Sequence, residues 1–273
     1  MGQELRDRDY TPLRLEEIQR GLVTERLGKK IHYLPEVDST NRFAFRRAQE
    51  GGEEGEIVIA ERQTRGKGRM GRSWFSPPGL NLYLSVILKP KLPPVHAPQI
   101  TLMSAVAVAD TVQSFLESPP AIKWPNDIMV QGKKLAGILT ESSCDPERLH
   151  FVVVGIGVNL NLPSGLLPEA IRESATSLLM LTGRTADRAA FTGQLIQSLD
   201  RCYGELEDRG FPWIARRWES FFELRGKRVM VEMADEPLTG TARGIDGDGA
   251  LILEQDGGAL QRIVAGDVIP LEP

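Results

Sequence analysis

Residues 57–74 read I-V-I-A-E-R-Q-T-R-G-K-G-R-M-G-R-S-W, an apolar run followed by a basic, glycine-rich stretch. The run from Ile57 to Ala60 is typical of a buried strand. The three glycines after it permit backbone conformations and close approaches that other residues rarely adopt. Lys67, Arg69 and Arg72 place cationic donors between and beside these glycines, and the flat side chain of Trp74 follows. This composition suits a ligand that carries both phosphate and a nucleobase.

A basic glycine-rich loop has two other common interpretations. It can be a solvated connection, or it can hold nucleic-acid phosphates. The chain contains 33 basic and 37 acidic residues, so its formal net charge is −4. A general nucleic-acid binder is basic over much of its surface. The charge balance therefore argues against a nucleic-acid binder. The loop alone does not decide between a solvated connection and a site for a ligand with phosphate and nucleobase.

The bulk composition predicts a two-domain cytoplasmic protein. A chain of 273 residues is long enough for about two domains with full cores. Cys144 and Cys202 are too few for a disulfide framework and wrongly spaced for a zinc site. The first ten residues are strongly polar, and no apolar run is long enough to be a signal peptide or a membrane span.

The periodicity of the chain predicts a mobile arm, an α+β region and a terminal β domain. Residues 1–11 are charged and aperiodic, which favours the arm. Helical spacing is expected over residues 12–27, 100–116 and 186–207, and again after Thr40. Strands are expected at residues 31–34, 57–60, 81–88, 122–130, 134–141 and 151–161. From Gly226, short strands alternate with Asp/Gly turns, which indicates a small closed barrel of about five strands.

Two further segments carry a resemblance to a known family. Residues 123–127 read K-W-P-N-D and residues 134–137 read K-L-A-G. Together with the glycine loop, in this order, they resemble the biotin protein ligase family, whose loop usually reads G-R-G-R-x-G-R. The resemblance implies a mixed sheet with helices on one side, similar to the class II aminoacyl-tRNA synthetase core. It assigns 12–224 to this catalytic domain and 225–273 to an SH3-like barrel. It also implies a short monofunctional form, without the N-terminal DNA-binding domain found in many members.

The resemblance implies a set of biotin-binding positions in this chain. Asp38, Ser39 and Thr40 are good helix N-caps, and capping alone would explain them. In the family, however, D-S-T-N lies beside the ureido ring, whose carbonyl and N–H groups need hydrogen-bond partners when buried. At Ala136 and Gly137, small side chains would let a ligand approach the backbone. The biotin-binding set is Ser39, Thr40, Asn41, Gln63, Gly66, Lys67, Gly68, Arg69, Lys134 and Gly137.

The resemblance also implies a nucleotide subsite and two catalytic residues. The nucleotide-binding set is Arg69, Arg72, Trp74, Lys123, Asn126, Asp127 and Asn159, with Trp74 flanking the adenine and Asp127 helping to place Mg²⁺. Lys134 and Arg69 are the catalytic candidates. Taken singly, residues 124–127 could be a plain turn, Lys134 a solvated strand lysine and Asn159 a turn residue. Lys67 departs from the usual arginine, which places any bidentate contact there in doubt.

The implied reaction has two steps at one site. Biotin and ATP form biotinyl-5′-AMP, and a lysine of a biotin carboxyl carrier protein domain then attacks this mixed anhydride. Positioning and charge stabilisation would supply most of the catalysis. The implied substrates are ATP and biotin, with Mg²⁺; no DNA or membrane partner is expected, and a homodimer is allowed. The rival within the superfamily is a lipoate or octanoate ligase, which lacks K-W-P-N-D. The rival from another class is a phosphate- or single-strand-binding module.

Overall fold

A computed structural model describes residues 10–233 and 236–271, and its centre is a seven-stranded mixed sheet. Its strands run in the spatial order β1-β2-β3-β7-β6-β5-β4, and only β1 and β2 are parallel. The predicted mixed sheet is therefore confirmed. The strands are β1 (Ile31–Val37), β2 (Ile57–Gln63), β3 (Leu82–Leu88), β4 (Ala121–Lys123), β5 (Asp127–Val130), β6 (Lys133–Cys144) and β7 (Leu149–Val158).

Helices cover both faces of this sheet, so the expectation of helices on one side is wrong. The helices are α1 (Leu15–Gln19), α2 (Thr40–Gln49), α3 (Ala97–Gln113), α4 (Leu178–Thr182), α5 (Arg188–Arg209) and α6 (Phe211–Glu219). Side chains of β2 alternate between the faces. Ile57 and Ile59 join the main core with α3, α5 and α6, whereas Val58 packs with Ala44 and Ala48 of α2.

The first helix is shorter than its periodicity predicts. It ends at Gln19, although apolar residues continue at helical spacing to Leu27. The backbone N–H groups of Glu25, Arg26 and Leu27 donate instead to the carboxylate of Asp200, at 2.8–2.9 Å. One anion on α5 thus stabilises a turn where a helix was expected, because it satisfies three successive donors.

The helix cap at Asp38–Thr40 is also not formed as expected. Helix α2 does begin at Thr40, but the Ser39 side chain makes no capping hydrogen bond. Thr40 directs its backbone N–H and its hydroxyl to Oε1 of Gln63, at 2.9 and 3.2 Å. The start of the helix is therefore tied to the end of β2, beside the basic loop.

The C-terminal region is a five-stranded antiparallel sheet in the order β11-β10-β9-β8-β12. It fits the small SH3-like barrel that the sequence predicts. The Trp124 indole N–H donates to the carbonyl of Gly249, 3.1 Å away, and so joins this sheet to the turn between β4 and β5. Its strands are β8 (Arg228–Glu232), β9 (Leu238–Ile245), β10 (Leu251–Glu254), β11 (Leu260–Ile263) and β12 (Asp267–Pro270).

The expected mobile arm and the expected lack of a membrane span concern different parts of the chain. Most of the predicted mobile arm, residues 1–9, lies outside the described residues. Over residues 10–233 and 236–271, no helix combines the length and apolar character needed to cross a membrane.

Candidate active site

The predicted site residues meet at one cavity of about 350 Å³, formed where the basic loop faces the sheet. The strand order separates its two ends, because Gln63 closes β2 while Lys123 and Asp127 lie on β4 and β5. All but one of the predicted residues line it. They are Ser39, Thr40, Asn41, Gln63, Lys67, Gly68, Arg69, Arg72, Trp74, Lys123, Asn126, Asp127, Lys134, Gly137 and Asn159.

The exception is Gly66, which does not line the cavity but is sterically required. A Cβ at this position would lie 2.6 Å from the carbonyl oxygen of Trp74 and 2.7 Å from Oγ of Ser76. The Trp74 N–H donates to the Gly66 carbonyl at 2.9 Å. Gly66 therefore allows the two ends of the loop to approach each other, and its predicted contact with biotin stays a prediction.

The basic loop is a tight hairpin with arginines beside its tip. Lys67 pairs with Ser73 as an isolated bridge, and the Gly68 N–H donates to the Arg72 carbonyl at 2.7 Å. Met70 and Gly71 both adopt the left-handed region, with φ of 52° and 73°. The tip is thus a sharp turn that places Arg69 and Arg72 on the cavity side.

Both loop arginines contact Asp267, the first residue of β12. Arg69 donates to Oδ1 of Asn126 at 2.8 Å, to Oδ1 of Asp267 at 3.2 Å and to the Gly266 carbonyl at 3.3 Å. Arg72 donates to the other carboxylate oxygen of Asp267. Sequence reasoning missed Asp267 as a site residue. Its only signal was the Gly266–Asp267 pair, which was assigned to the terminal domain alone.

A second cationic group surrounds Asp127. Lys134 Nζ lies 2.7 Å from Oδ1 of Asp127 and 5.4 Å from the centre of the Trp74 ring. Burial lowers the pKa of Lys123; Asp127 opposes this change, and Lys134 and Arg72 add to it. The four cations at this end exceed the carboxylates of Asp127 and Asp267, so the site favours a polyanion such as a triphosphate.

The space above Gly137 is filled by side chains. A Cβ at Gly137 would lie 3.0 Å from Cζ3 of Trp74 and 3.1 Å from Cε of Lys134. At Gly157 the corresponding distance to Cε2 of Trp74 is 2.5 Å. The Trp74 indole therefore packs on the glycine floor of the cavity, and the approach of a ligand to the Gly137 backbone stays a prediction.

Asn126 and Asn159, the two asparagines predicted for the nucleotide subsite, donate hydrogen bonds to backbone carbonyl groups. Asn126 accepts from Arg69 and donates to the Ile138 carbonyl at 2.8 Å. Asn159 donates to the Thr176 carbonyl at 3.0 Å, and its side-chain oxygen accepts from Asn81 at 3.4 Å. Both amides shape the cavity wall through these bonds. A direct contact with ATP stays a prediction for each.

The opposite end of the cavity is neutral and polar. Gln63 accepts from Thr40 through Oε1 and donates through Nε2 to the Ser76 hydroxyl at 3.1 Å. Ser85, fully buried on β3, lies 2.8 Å from Oγ1 of Thr40. Such a wall suits a neutral ligand group that both donates and accepts. Sequence reasoning missed Ser76, in the loop after Trp74, and Ser85, on β3, since a single buried hydroxyl carries no local signal.

The chain matches two known family models and is similar in sequence to known ligases. Residues 33–159 match the Biotin/lipoate A/B protein ligase family, and residues 225–269 match the Biotin protein ligase C terminal domain. The biotin–[acetyl-CoA-carboxylase] ligase of Mycobacterium tuberculosis is 34% identical, over 97% of this chain and 98% of its own length. The bifunctional ligase/repressor BirA of Bacillus subtilis is 36% identical, over 92% of this chain and 77% of its own length.

The fold comparison agrees with the sequence comparison. The biotin protein ligase of Aquifex aeolicus, solved in complex with biotin and ATP, aligns with a TM-score of 0.76 and 29% identity. The alignment covers 89% of this chain and 98% of that one.

Proposed function

Because this chain belongs to the biotin protein ligase family, we propose that it activates biotin with ATP and transfers the biotinyl group to a protein lysine. The intermediate is biotinyl-5′-AMP. The acceptor is a lysine of a biotin carboxyl carrier protein domain. A carboxylate does not react with an amine at neutral pH, so adenylation supplies the leaving group that amide formation needs.

One observation carries this proposal: the cavity is neutral and hydrogen-bonding at one end and cationic at the other. Thr40 and Gln63 form the neutral end, and Lys134, Arg69 and Lys123 form the cationic end. Biotin has the matching polarity, with a neutral urea at one end and a carboxylate at the other. ATP adds further negative charge where the cations are concentrated.

In this arrangement, the chain acts by positioning and by charge stabilisation. Lys134 would steer the biotin carboxylate, and Arg69 would hold the phosphoryl group of the anhydride. Arg72 and Lys123 would contact the remaining phosphates. No side chain needs to form a covalent intermediate, because the nucleophile of each step belongs to a substrate.

Magnesium is proposed only as part of the nucleotide substrate. No group of three or more potential metal-ligating side chains occurs among residues 10–233 and 236–271. Asp127 is a single carboxylate at the cationic end of the cavity. That donor fits an ion that arrives on the phosphates of ATP, since Mg²⁺ often uses one or two carboxylates plus substrate oxygens. The ion would neutralise charge on the phosphates.

The test is transfer of biotin to an isolated carrier domain in the presence of ATP and Mg²⁺. We expect labelling of one lysine of the carrier, and biotin-dependent exchange of pyrophosphate into ATP. A parallel reaction with lipoate distinguishes the superfamily rival, and we expect no lipoyl transfer. Absence of exchange and of labelling with biotin would contradict the proposal.

A further inference from the structure

Glu141 connects the basic loop with the inner wall of the cavity. It lies on β6, four residues beyond the K-L-A-G segment, and its side chain is 31% exposed. One carboxylate oxygen accepts from Lys67 Nζ of the loop at 3.2 Å. The other accepts from Nδ2 of Asn41 on α2 at 2.9 Å. Glu141 lies outside the glycine loop and outside the K-W-P-N-D and K-L-A-G segments.

Glu141 is one of two acceptors that fix the orientation of the Asn41 amide. Its Nδ2 also donates to the Leu139 carbonyl at 3.0 Å. Both of these partners can only accept, so the nitrogen must face them. The amide oxygen then faces Ser85, whose Oγ lies 2.7 Å away. Asn41 is buried, so an inverted amide would leave several groups without partners.

From Asn41, a row of oxygen atoms continues toward the cavity. Ser85 Oγ lies 2.8 Å from Oγ1 of Thr40, and Oγ1 of Thr40 lies 3.2 Å from Oε1 of Gln63. Three side-chain contacts link Asn41 to Gln63 by way of Ser85 and Thr40. Only two hydroxyl protons, one on Ser85 and one on Thr40, are available for these three contacts. The Thr40 backbone N–H also donates to Oε1 of Gln63, so each oxygen of the row can be satisfied while keeping a second lone pair for a ligand N–H group.

From these contacts we infer that Glu141 is a positioning residue for biotin capture. It sets the direction of the Asn41–Ser85–Thr40 chain, so that oxygen acceptors meet the ureido N–H groups. Through Lys67 it also ties the closed loop to that chain. The lysine at position 67 is suited to this role, because one ammonium group can reach a single carboxylate oxygen without the planar fork of arginine. The inference rests on the proposed biotin chemistry.

The first test is equilibrium binding of biotin to the whole protein by calorimetry. For Glu141→Gln we expect a roughly tenfold increase in Kd, mainly from faster dissociation. The control is Glu147→Gln, which removes the same charge from an exposed position of the β6–β7 hairpin and should bind as the wild type does. Lys67→Met should have little added effect in the Glu141→Gln background, because the two residues share one contact.

A second measurement separates positioning from a general structural effect. A biotin analogue methylated at a ureido nitrogen lacks one N–H donor, and the wild type should discriminate against it strongly. Glu141→Gln should lose part of this discrimination, because it replaces one of the two acceptors that orient Asn41 with an amide that can also donate, while the Leu139 carbonyl remains. If Glu141→Gln does not fold, Ser85→Ala tests the same chain one step further inward.

The outcomes distinguish the two hypotheses. If the wild type does not bind biotin, the proposed function fails. If the wild type binds biotin while Glu141→Gln matches Glu147→Gln in both affinity and analogue discrimination, the positioning role is overturned. Unchanged discrimination in Ser85→Ala would overturn it equally.

Discussion

Lys134, which is proposed to steer the biotin carboxylate, already has an anionic partner and an aromatic neighbour in the structure. Without a ligand, its ammonium group lies against the Asp127 carboxylate and beneath the Trp74 ring. A biotin carboxylate would add a second anion to a cation that is already positioned. That arrangement favours a role in the reaction over simple anchoring, because the charge need not be ordered when the reaction occurs.

Replacing Lys134 with alanine should therefore affect adenylation more than biotin binding. The neutral wall still holds the ureido ring, whereas the reacting carboxylate loses its cation. We expect the rate of adenylate formation to fall roughly a hundredfold or more, with a smaller change in the Kd for biotin. Single-turnover pyrophosphate release measures the rate. Lys133→Ala is the matched control, and an adenylation rate within a few-fold of wild type would remove Lys134 from the mechanism.

Arg69 should retain the reactive intermediate. Its guanidinium lies between the loop and Asn126, where it can contact the anhydride phosphate. Arg69→Gly should still form adenylate but release it roughly ten- to a hundredfold faster, because a charge-assisted contact is worth about 1.5–3 kcal/mol. Released adenylate should label albumin. The exposed Arg65→Gly serves as the control, and equal retention by Arg69→Gly and wild type would contradict the assignment.

At the scale of elements, the regular strands and long helices were predictable, while the turns held by distant residues were not. The strands and helices follow local hydrophobic periodicity, as in β7 and α5. The turn at residues 25–27 depends on Asp200, which is 173 residues from Leu27. The cationic site was found because its motifs are contiguous. Ser85 and Asp267 were missed because only the folded chain brings them to the motifs.

The loop from Thr64 to Trp74 gives a prediction for a whole segment. Lys67 and Arg72 are exposed and Arg69 is half-buried, so ligand contacts to these cations would help to offset the cost of ordering the loop, about 1–2 kcal/mol for each residue. Trypsin should cut after Arg65, Lys67, Arg69 or Arg72 in the free protein. Biotin together with ATP should protect these bonds. Equal cutting in both conditions, judged by mass spectrometry, would show that the loop does not close over the ligands.

The junction of β1, β2 and α2 predicts a pH dependence of stability. Burial raises the pKa of Glu56, but hydrogen bonds from the Glu53 N–H, His32 and Lys30, with Arg47 nearby, outweigh this and lower the pKa from 4.5 to about 2. A lowered pKa stabilises the fold above pH 4.5, and this stabilisation is lost as the pH falls toward 2. The shift corresponds to about 3 kcal/mol.

Urea unfolding at several pH values measures this contribution. The free energy of unfolding of the wild type should exceed that of Glu56→Gln at pH 7, and the difference should shrink between pH 4.5 and 2.5. The exposed Glu147→Gln should follow the wild type at every pH. A constant difference between wild type and Glu56→Gln would mean that the Glu56 charge is not the cause.

In the whole molecule, the C-terminal sheet contributes a side chain to a cavity formed mainly by the large sheet. That side chain is Asp267, the first residue of β12, which accepts hydrogen bonds from both loop arginines. The Asp267 side chain is only 16% exposed, so these pairs are partly shielded from water. The terminal domain therefore holds the two side chains proposed to bind phosphate close together at the cavity.

Replacing Asp267 with asparagine should weaken ATP binding even though it removes a competing anion. Asparagine has no charge with which to hold the two guanidinium groups. Both arginines would therefore be less ordered in the free protein and would have to be ordered when ATP binds. We expect the KM for ATP to rise roughly five- to a hundredfold, since immobilising a side chain on binding costs about 0.5–1.5 kcal/mol and two arginines are affected. Biotin affinity should change little, because the neutral wall lies at the other end of the cavity. Asp256→Asn, on the same domain but away from the cavity, is the control. A lower KM for ATP in Asp267→Asn would instead show that Asp267 acts mainly as a competitor of phosphate.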